Sequence, residues 1–188
     1  MQRRAEQVNQ TRQRIVAAAA HLHGTVGPAA TTIAAIAELA QVTRLTVYRH
    51  FPDETALFAA CSAHWAAGQR FPDPGAWALI ADPAERLRAG LADLYRFYRG
   101  GSGMLANLYR DVAVLPEDQR RMLREQHETA CRALAGPFAG AGRQRRRVGA
   151  AIGHATAFWT WYSLCAERGL SDDEAVQLMT AMVLTAAG

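Results

Sequence analysis

Thr43-Arg44-Leu45-Thr46-Val47-Tyr48-Arg49-His50-Phe51 sets hydroxyl, guanidinium, phenol and imidazole groups side by side and contains no acid. These groups reach phosphate oxygens, guanine O6 and N7, and the thymine methyl. On a helix turning about 100° per residue, Val47 and Phe51 fall on one face, spaced for a core. Leu45, Thr46 and Arg49 occupy the opposite arc, flanked by Arg44 and Tyr48 on one side and His50 on the other. Thr43 is a good N-cap. The chemistry implied is recognition of a polyanion, with double-stranded DNA the partner whose edges match.

The charge distribution points the same way. The chain has 188 residues, and all 21 of its basic side chains are arginine. Residues 1–52 carry a net charge of +4, with six arginines against Glu6 and Glu38, and the remaining 136 residues are neutral. An arginine surplus confined to one end suits an anionic partner for that end alone. Arg3, Arg4, Arg12 and Arg14 could form an arm near DNA. A second basic cluster at 143–147 reads as a solvated helix start.

Catalysis is not expected. No GxSxG, glycine-rich phosphate loop or nucleophile–base pair stands out, so no catalytic residue and no cofactor is assigned. The six histidines form no ligand cluster with Cys61, Cys131 and Cys165, so no metal is expected. The cysteines are odd in number and far apart; with no secretory signal they read as buried thiols in a reducing cytoplasm, the expected location. Residues 148–166 are uncharged over 19 positions, but Gly, Ala, Thr, Ser and a central His154 favour a buried helix over a membrane span.

The elements that must position the opening stretch are helical throughout. Periodicity and start signals predict an all-α fold of about nine helices. Helix one spans about Thr11–His23, with Ile15, Ala18, Ala19 and Leu22 inward. Helix two, about Thr32–Ala40, buries Ile33, Ile36 and Ala37. Helix three is the opening stretch, and a fourth spans about Glu54–Gly68. Ala37 allows a close crossing, Gln41 takes the tight turn, and Val42 and Val47 lock the pair. This is helix-turn-helix spacing over about 32–51. Thr31 and Thr32 begin helix two, where free N–H groups favour a phosphate. "RFPDPGAW" marks a linker, which divides the chain into 1–70 and 71–188. Helices then start at Asp82-Pro83, near Met104, at Leu115-Pro116, at about Arg143 (running to Arg168) and at the capping box Ser171-Asp172-Asp173-Glu174.

"TTIAAIAELAQVTRLTVYRHFPDETALF" (31–58) resembles the DNA-binding region of the tetracycline-repressor (TetR) family. The Thr-Thr start, the Thr-x-Tyr-x-His-Phe run and the following Leu-Phe carry the resemblance, which covers about residues 10–60. It implies Thr32, Thr43, Thr46, Tyr48 and His50 on phosphates, with Arg44, and possible roles for Leu45 and Arg49, at bases. Three positions depart from the family pattern. Gln41 replaces the turn glycine, Glu54 stands where a lysine usually neutralises a phosphate, and His23 replaces an aromatic core residue.

One recognition helix reads too few base pairs for a genomic site, so a homodimer on a palindromic operator is expected. Gly149, Gly153 and Ala157 recur every four residues on the penultimate long helix, with Trp161, Leu178 and Met182 nearby as further dimer residues. The resemblance implies a four-helix dimer bundle here, and a small-molecule effector bound in the second domain. Tyr95, Tyr98, Met104, Tyr109, His154, Phe158 and Tyr162 are the candidate effector residues. His154 by itself reads as a core histidine. The function expected is a ligand-responsive transcriptional repressor. The alternative is a helical adaptor that binds only proteins, against which the confined arginine surplus speaks.

Overall fold

Side-chain caps define most helix starts in the computed structural model. It describes residues 2–138 and 140–188, with side chains from residue 5 onward; Arg3 and Arg4 of the expected arm therefore lie outside the described side chains. The helices are α1 Gln2–Thr25, α2 Ile33–Leu39, α3 Arg44–His50, α4 Glu54–Ala66, α5 Pro74–Ala78 and α6 Pro83–Gly100. There follow α7 Ser102–Arg110, α8 Glu117–Ala135, α9 Gly142–Ala155, α10 Phe158–Trp161 with a π-helical turn Tyr162–Glu167, and α11 Asp172–Ala187. No strand occurs among the described residues. Helix α1 begins earlier than Thr11, since no glycine or proline interrupts the good helix formers before it.

The chain packs into two units. The first comprises residues 1–69 and 101–120, the second 70–100 and 121–188. Residues 101–120, which the sequence reading places in the second domain, join the first through polar contacts. Asn107 Nδ2 donates to the His23 carbonyl (3.1 Å), the Arg110 guanidinium to the Val26 carbonyl (2.9 Å), and the Ala29 N–H to Asp111 Oδ2 (3.0 Å). No hydrophobic period announces such contacts.

In the first unit, Ile15 and Ala19 of α1 pack with Ile36, Ala37 and Ala40 around α2, and with Val47, Phe51, Leu57 and Cys61. His23 fills its aromatic position. It is 8% exposed, stacks on Phe58 (5.1 Å between centroids) and lies 3.3 Å from Cys61 Sγ. Burial lowers its pKa below the usual 6.5. Above pH 6.5 the ring is neutral in both folded and unfolded chains and costs nothing. Below it the unfolded chain binds a proton that the folded one refuses, so stability falls by up to about 1.4 kcal/mol per pH unit until the lowered pKa is reached. We expect His23→Phe to keep the stacking and to flatten this acid loss between pH 7 and 5. Urea midpoints across that range check it, and an unchanged slope would count against the assignment.

In the second unit α11 packs on α9 and α6, around Leu87, Leu91, Leu94, Ile152, Met179 and Val183. Gly90 permits the approach of α8 and Trp77, since a Cβ there would sit 2.5 Å from Leu134. Trp77 is buried, with its Nε1 donating to Asp93 Oδ2 (3.1 Å).

The long helix expected over 143–168 is broken at Thr156–Ala157, and this corrects the sequence reading. Ala157 leaves the helical region (φ −71°, ψ 136°), and Thr156 Oγ1 donates back to the Ile152 carbonyl (2.9 Å). Carbonyls freed by a helix end need new donors. Tyr95 Oη donates to the Ala155 carbonyl (2.8 Å) and Tyr98 Oη to the Thr156 carbonyl (2.7 Å). The break is therefore satisfied from α6.

A candidate nucleic-acid interface

The turn between α2 and α3 fixes the angle of the recognition helix. Thr32 Oγ1 caps α2 by accepting from Ala35 N (3.1 Å), and Val42 N closes the other end on the Ala37 carbonyl (2.9 Å). That bond, one residue beyond a normal helical bond, defines a Schellman ending, whose left-handed position is Gln41 at φ +54°. Gln41 is the only non-glycine with positive φ among the described residues. A side chain in this region costs about 1–2 kcal/mol, partly offset because glycine loses more entropy on folding. Gln41→Gly should therefore raise stability by up to about 1 kcal/mol, or roughly 2–4 °C in Tm for a chain of this size. A lowered Tm would show that the glutamine is held by contacts of its own.

Helix α3 then presents two unlike faces. Val47 is 1% exposed and Phe51 2%, locking the helix inward. Outward, Leu45 is 76% exposed and Tyr48 51%, with Arg44 and Arg49 exposed beside them. No hydrogen bond or ion pair engages Arg44 or Arg49 among the described residues. An exposed leucine between two unpaired guanidinium groups, with no acid on the helix, fits the base edges and backbone of a major groove.

The hydroxyls are set for donation. Thr43 Oγ1 caps α3 by accepting from Thr46 N (3.2 Å) and lies 3.0 Å from Thr46 Oγ1. One of the two donates to the other, which leaves one proton free for a phosphate. Thr32 caps through a lone pair and likewise keeps its proton. Thr31 differs, because its hydroxyl already donates to the Gly27 carbonyl (2.8 Å).

His50 is partly buried, and its pKa lies below the usual 6.5 because of burial, then the neighbouring Arg49 and Arg12 charges. Arg12 belongs to this surface through packing that sequence spacing did not show: its guanidinium lies over the Phe51 ring, 4.6 Å from the centroid. Glu54, the unusual acid, is exposed in the first turn of α4, where the helix dipole favours it.

The other candidate residues are spread more widely. Tyr95 and Tyr98 are buried, Phe158 packs edge-on to Tyr98 (5.4 Å), and Tyr162 lies 5.8 Å from Phe158, so these rings fill one another's space. Met104 and Tyr109 sit in the first unit and the other five in the second. His154 is exposed, not in the core as its apolar neighbours suggested, because α9 turns that position outward. Of the dimer candidates, Gly149 and Leu178 are exposed, and Gly153, Ala157 and Met182 partly so. Trp161 is not at the surface. It is 2% exposed and donates from Nε1 to Asp172 Oδ1 (2.9 Å), while Trp159 faces outward at 47%. A cavity of about 470 Å³, missed by sequence reasoning, opens in the second unit between the ends of α8, α9 and α11, with Arg132, Phe138, Arg145 and Val148 in its wall. Helix ends meeting in space leave no periodic signal.

Helices α2 and α3 and the tight turn between them form a helix-turn-helix, and every regular element among the described residues is helical. Residues 15–61 match the bacterial regulatory proteins, tetR family. The chain is also similar to solved structures: a TetR-like transcriptional regulator from Rhodococcus sp. RHA1 (20% identity, 93% of each chain covered, TM-score 0.66) and the TetR family regulator PfmR from Thermus thermophilus (17% identity, 92% of this chain and 97% of that one, TM-score 0.63). A tetR-family regulator from Streptomyces coelicolor is similar at 17% identity, over 95% of this chain and 79% of that one, with TM-score 0.58. Nothing among curated proteins matches the sequence. Residues 15–61 thus match the tetR family model, and the chain over most of its length has the fold of these solved structures. No helix is long and apolar enough to cross a membrane among the described residues.

Proposed function

We propose that the protein is a transcriptional repressor that binds a palindromic operator as a homodimer and is released by a small molecule. The observation that carries this reading is the outward arc of α3, where Arg44, Leu45, Tyr48 and Arg49 are exposed while Val47 is buried. Thr32, Thr43, Thr46 and His50 would hold phosphates, and Arg44 would reach a base.

Dimerisation is supported by Gly149 and Gly153. Beyond its own helical turn and chain neighbours, a Cβ at either would meet nothing within 4 Å, so the packing of the described residues does not require glycine there. A close partner helix would. Trp159 and Leu178 are exposed and Met182 partly so, which leaves apolar side chains available to a partner. The cavity beside Arg132 and Arg145 is of ligand size and favours an anionic effector with an apolar body.

Selection from a random duplex pool, followed by footprinting, tests the reading. The expected result is an inverted repeat protected by a species of twice the chain mass in light scattering, with affinity falling steeply as salt rises. A pool that yields no enriched sequence would sink it.

A further inference from the structure

The sequence reading found no nucleophile–base pair, yet α8 brings a cysteine and a histidine into contact. Cys131 Sγ lies 3.5 Å from His127 Nε2, one helical turn away, and 3.4 Å from Thr156 Oγ1 at the α9–α10 break. The other two thiols lie elsewhere. Cys61, in the first unit, is 2% exposed and burial pushes it up to about 12. Cys165 is 7% exposed, and burial followed by the Asp172 charge pushes it up to about 11. Cys131 is partly exposed. Burial opposes charge on its sulfur, but the His127 and Thr156 contacts outweigh burial and hold the thiol below its usual range. The contact with Cys131 raises His127 against burial, and Glu128 raises it further while opposing charge on the thiol. At the same helix break, the Tyr95 and Tyr98 hydroxyls are committed to the Ala155 and Thr156 carbonyls.

We propose that Cys131 is a modification site for α,β-unsaturated carbonyl compounds, with His127 as its base and proton donor. The Cys131 proton passes to His127 Nε2, and the thiolate forms a C–S bond to the β-carbon of the acceptor. The C=C π pair moves toward the carbonyl to give an enolate, which takes the proton back from the imidazolium. Atoms and charge balance with no oxidant. A disulfide has no such support, because all three cysteines are free, Cys61 is in the other unit and Cys165 Sγ donates to the Ser171 carbonyl (3.9 Å). The adduct removes the sulfur's proton and crowds Thr156, the residue on which α9 ends. Its effect on DNA rests on the proposed function.

The test treats the full chain with limiting N-ethylmaleimide and follows each cysteine by peptide mass spectrometry. Cys131 should react about tenfold or more faster than Cys61 or Cys165, with a pH–rate inflection below that of an ordinary thiol. His127→Gln should slow it about tenfold and move the inflection upward. Equal rates at all three cysteines, or a wild-type inflection at the ordinary thiol value, would overturn the site. The same adduct should weaken operator binding by the wild type and leave Cys131→Ser unaffected; equal weakening of both would overturn its regulatory effect. Should untreated protein bind no duplex at all, the proposed function fails while the alkylation rates still decide the site.

Discussion

Arg44→Ala should cost about 1–3 kcal/mol at the selected operator and very little on random duplex. The guanidinium is exposed, unpaired among the described residues and set in the first turn of α3, so truncation removes a base contact without disturbing the fold. Thermal stability should therefore stay within about 0.5 kcal/mol of the wild type. Thr43→Ala provides the contrast. Its hydroxyl caps α3 and is poised for a phosphate, so its loss should weaken operator and random DNA together and lower stability by about 1 kcal/mol. Fluorescence anisotropy on both duplexes at two salt concentrations separates the patterns. Equal loss for Arg44→Ala on both DNAs would remove its base-reading role.

Tyr98→Phe should be among the most damaging conservative changes in the second unit. It keeps the ring among Phe158 and Trp161 but leaves the buried Thr156 carbonyl without its 2.7 Å donor. An orphaned buried acceptor costs about 1–3 kcal/mol. Tyr95→Phe should cost a similar amount at Ala155. The ring centroids lie 6.3 Å apart and the two hydroxyls serve consecutive carbonyls of one helix end, so the double variant should depart from additivity. Urea midpoints of the four proteins give the coupling. Additive losses would mean that each carbonyl is held independently.

Much of the outward surface of α3 was legible because local rules govern it. Val47 and Phe51 fall four apart, Thr43 caps, and the arc between them carries its own chemistry; nothing beyond one helix is needed to place these residues. Gln41 stands where the resembled family has a turn glycine, which implies strain or an adjusted turn, and its φ of +54° is the left-handed conformation that glycine suits. The second unit was harder to read. Periodicity separates buried from exposed faces, but it cannot say whether an inward aromatic lines a cavity or fills a core, nor which of Trp159 and Trp161 faces out once a helix has broken between them and Gly149.

The sequence by itself determined most of the helices, several of their caps and the polar arc of α3, since each depends on residues within a turn or two of one another. The tertiary structure alone decided three further matters: the break at Thr156, the allegiance of residues 101–120 to the first unit, and the seating of Cys131 against Thr156. Each hangs on a partner distant in the chain, such as Tyr98 for Thr156 or His23 for Asn107, and hydrogen bonds across that separation leave no mark on local composition.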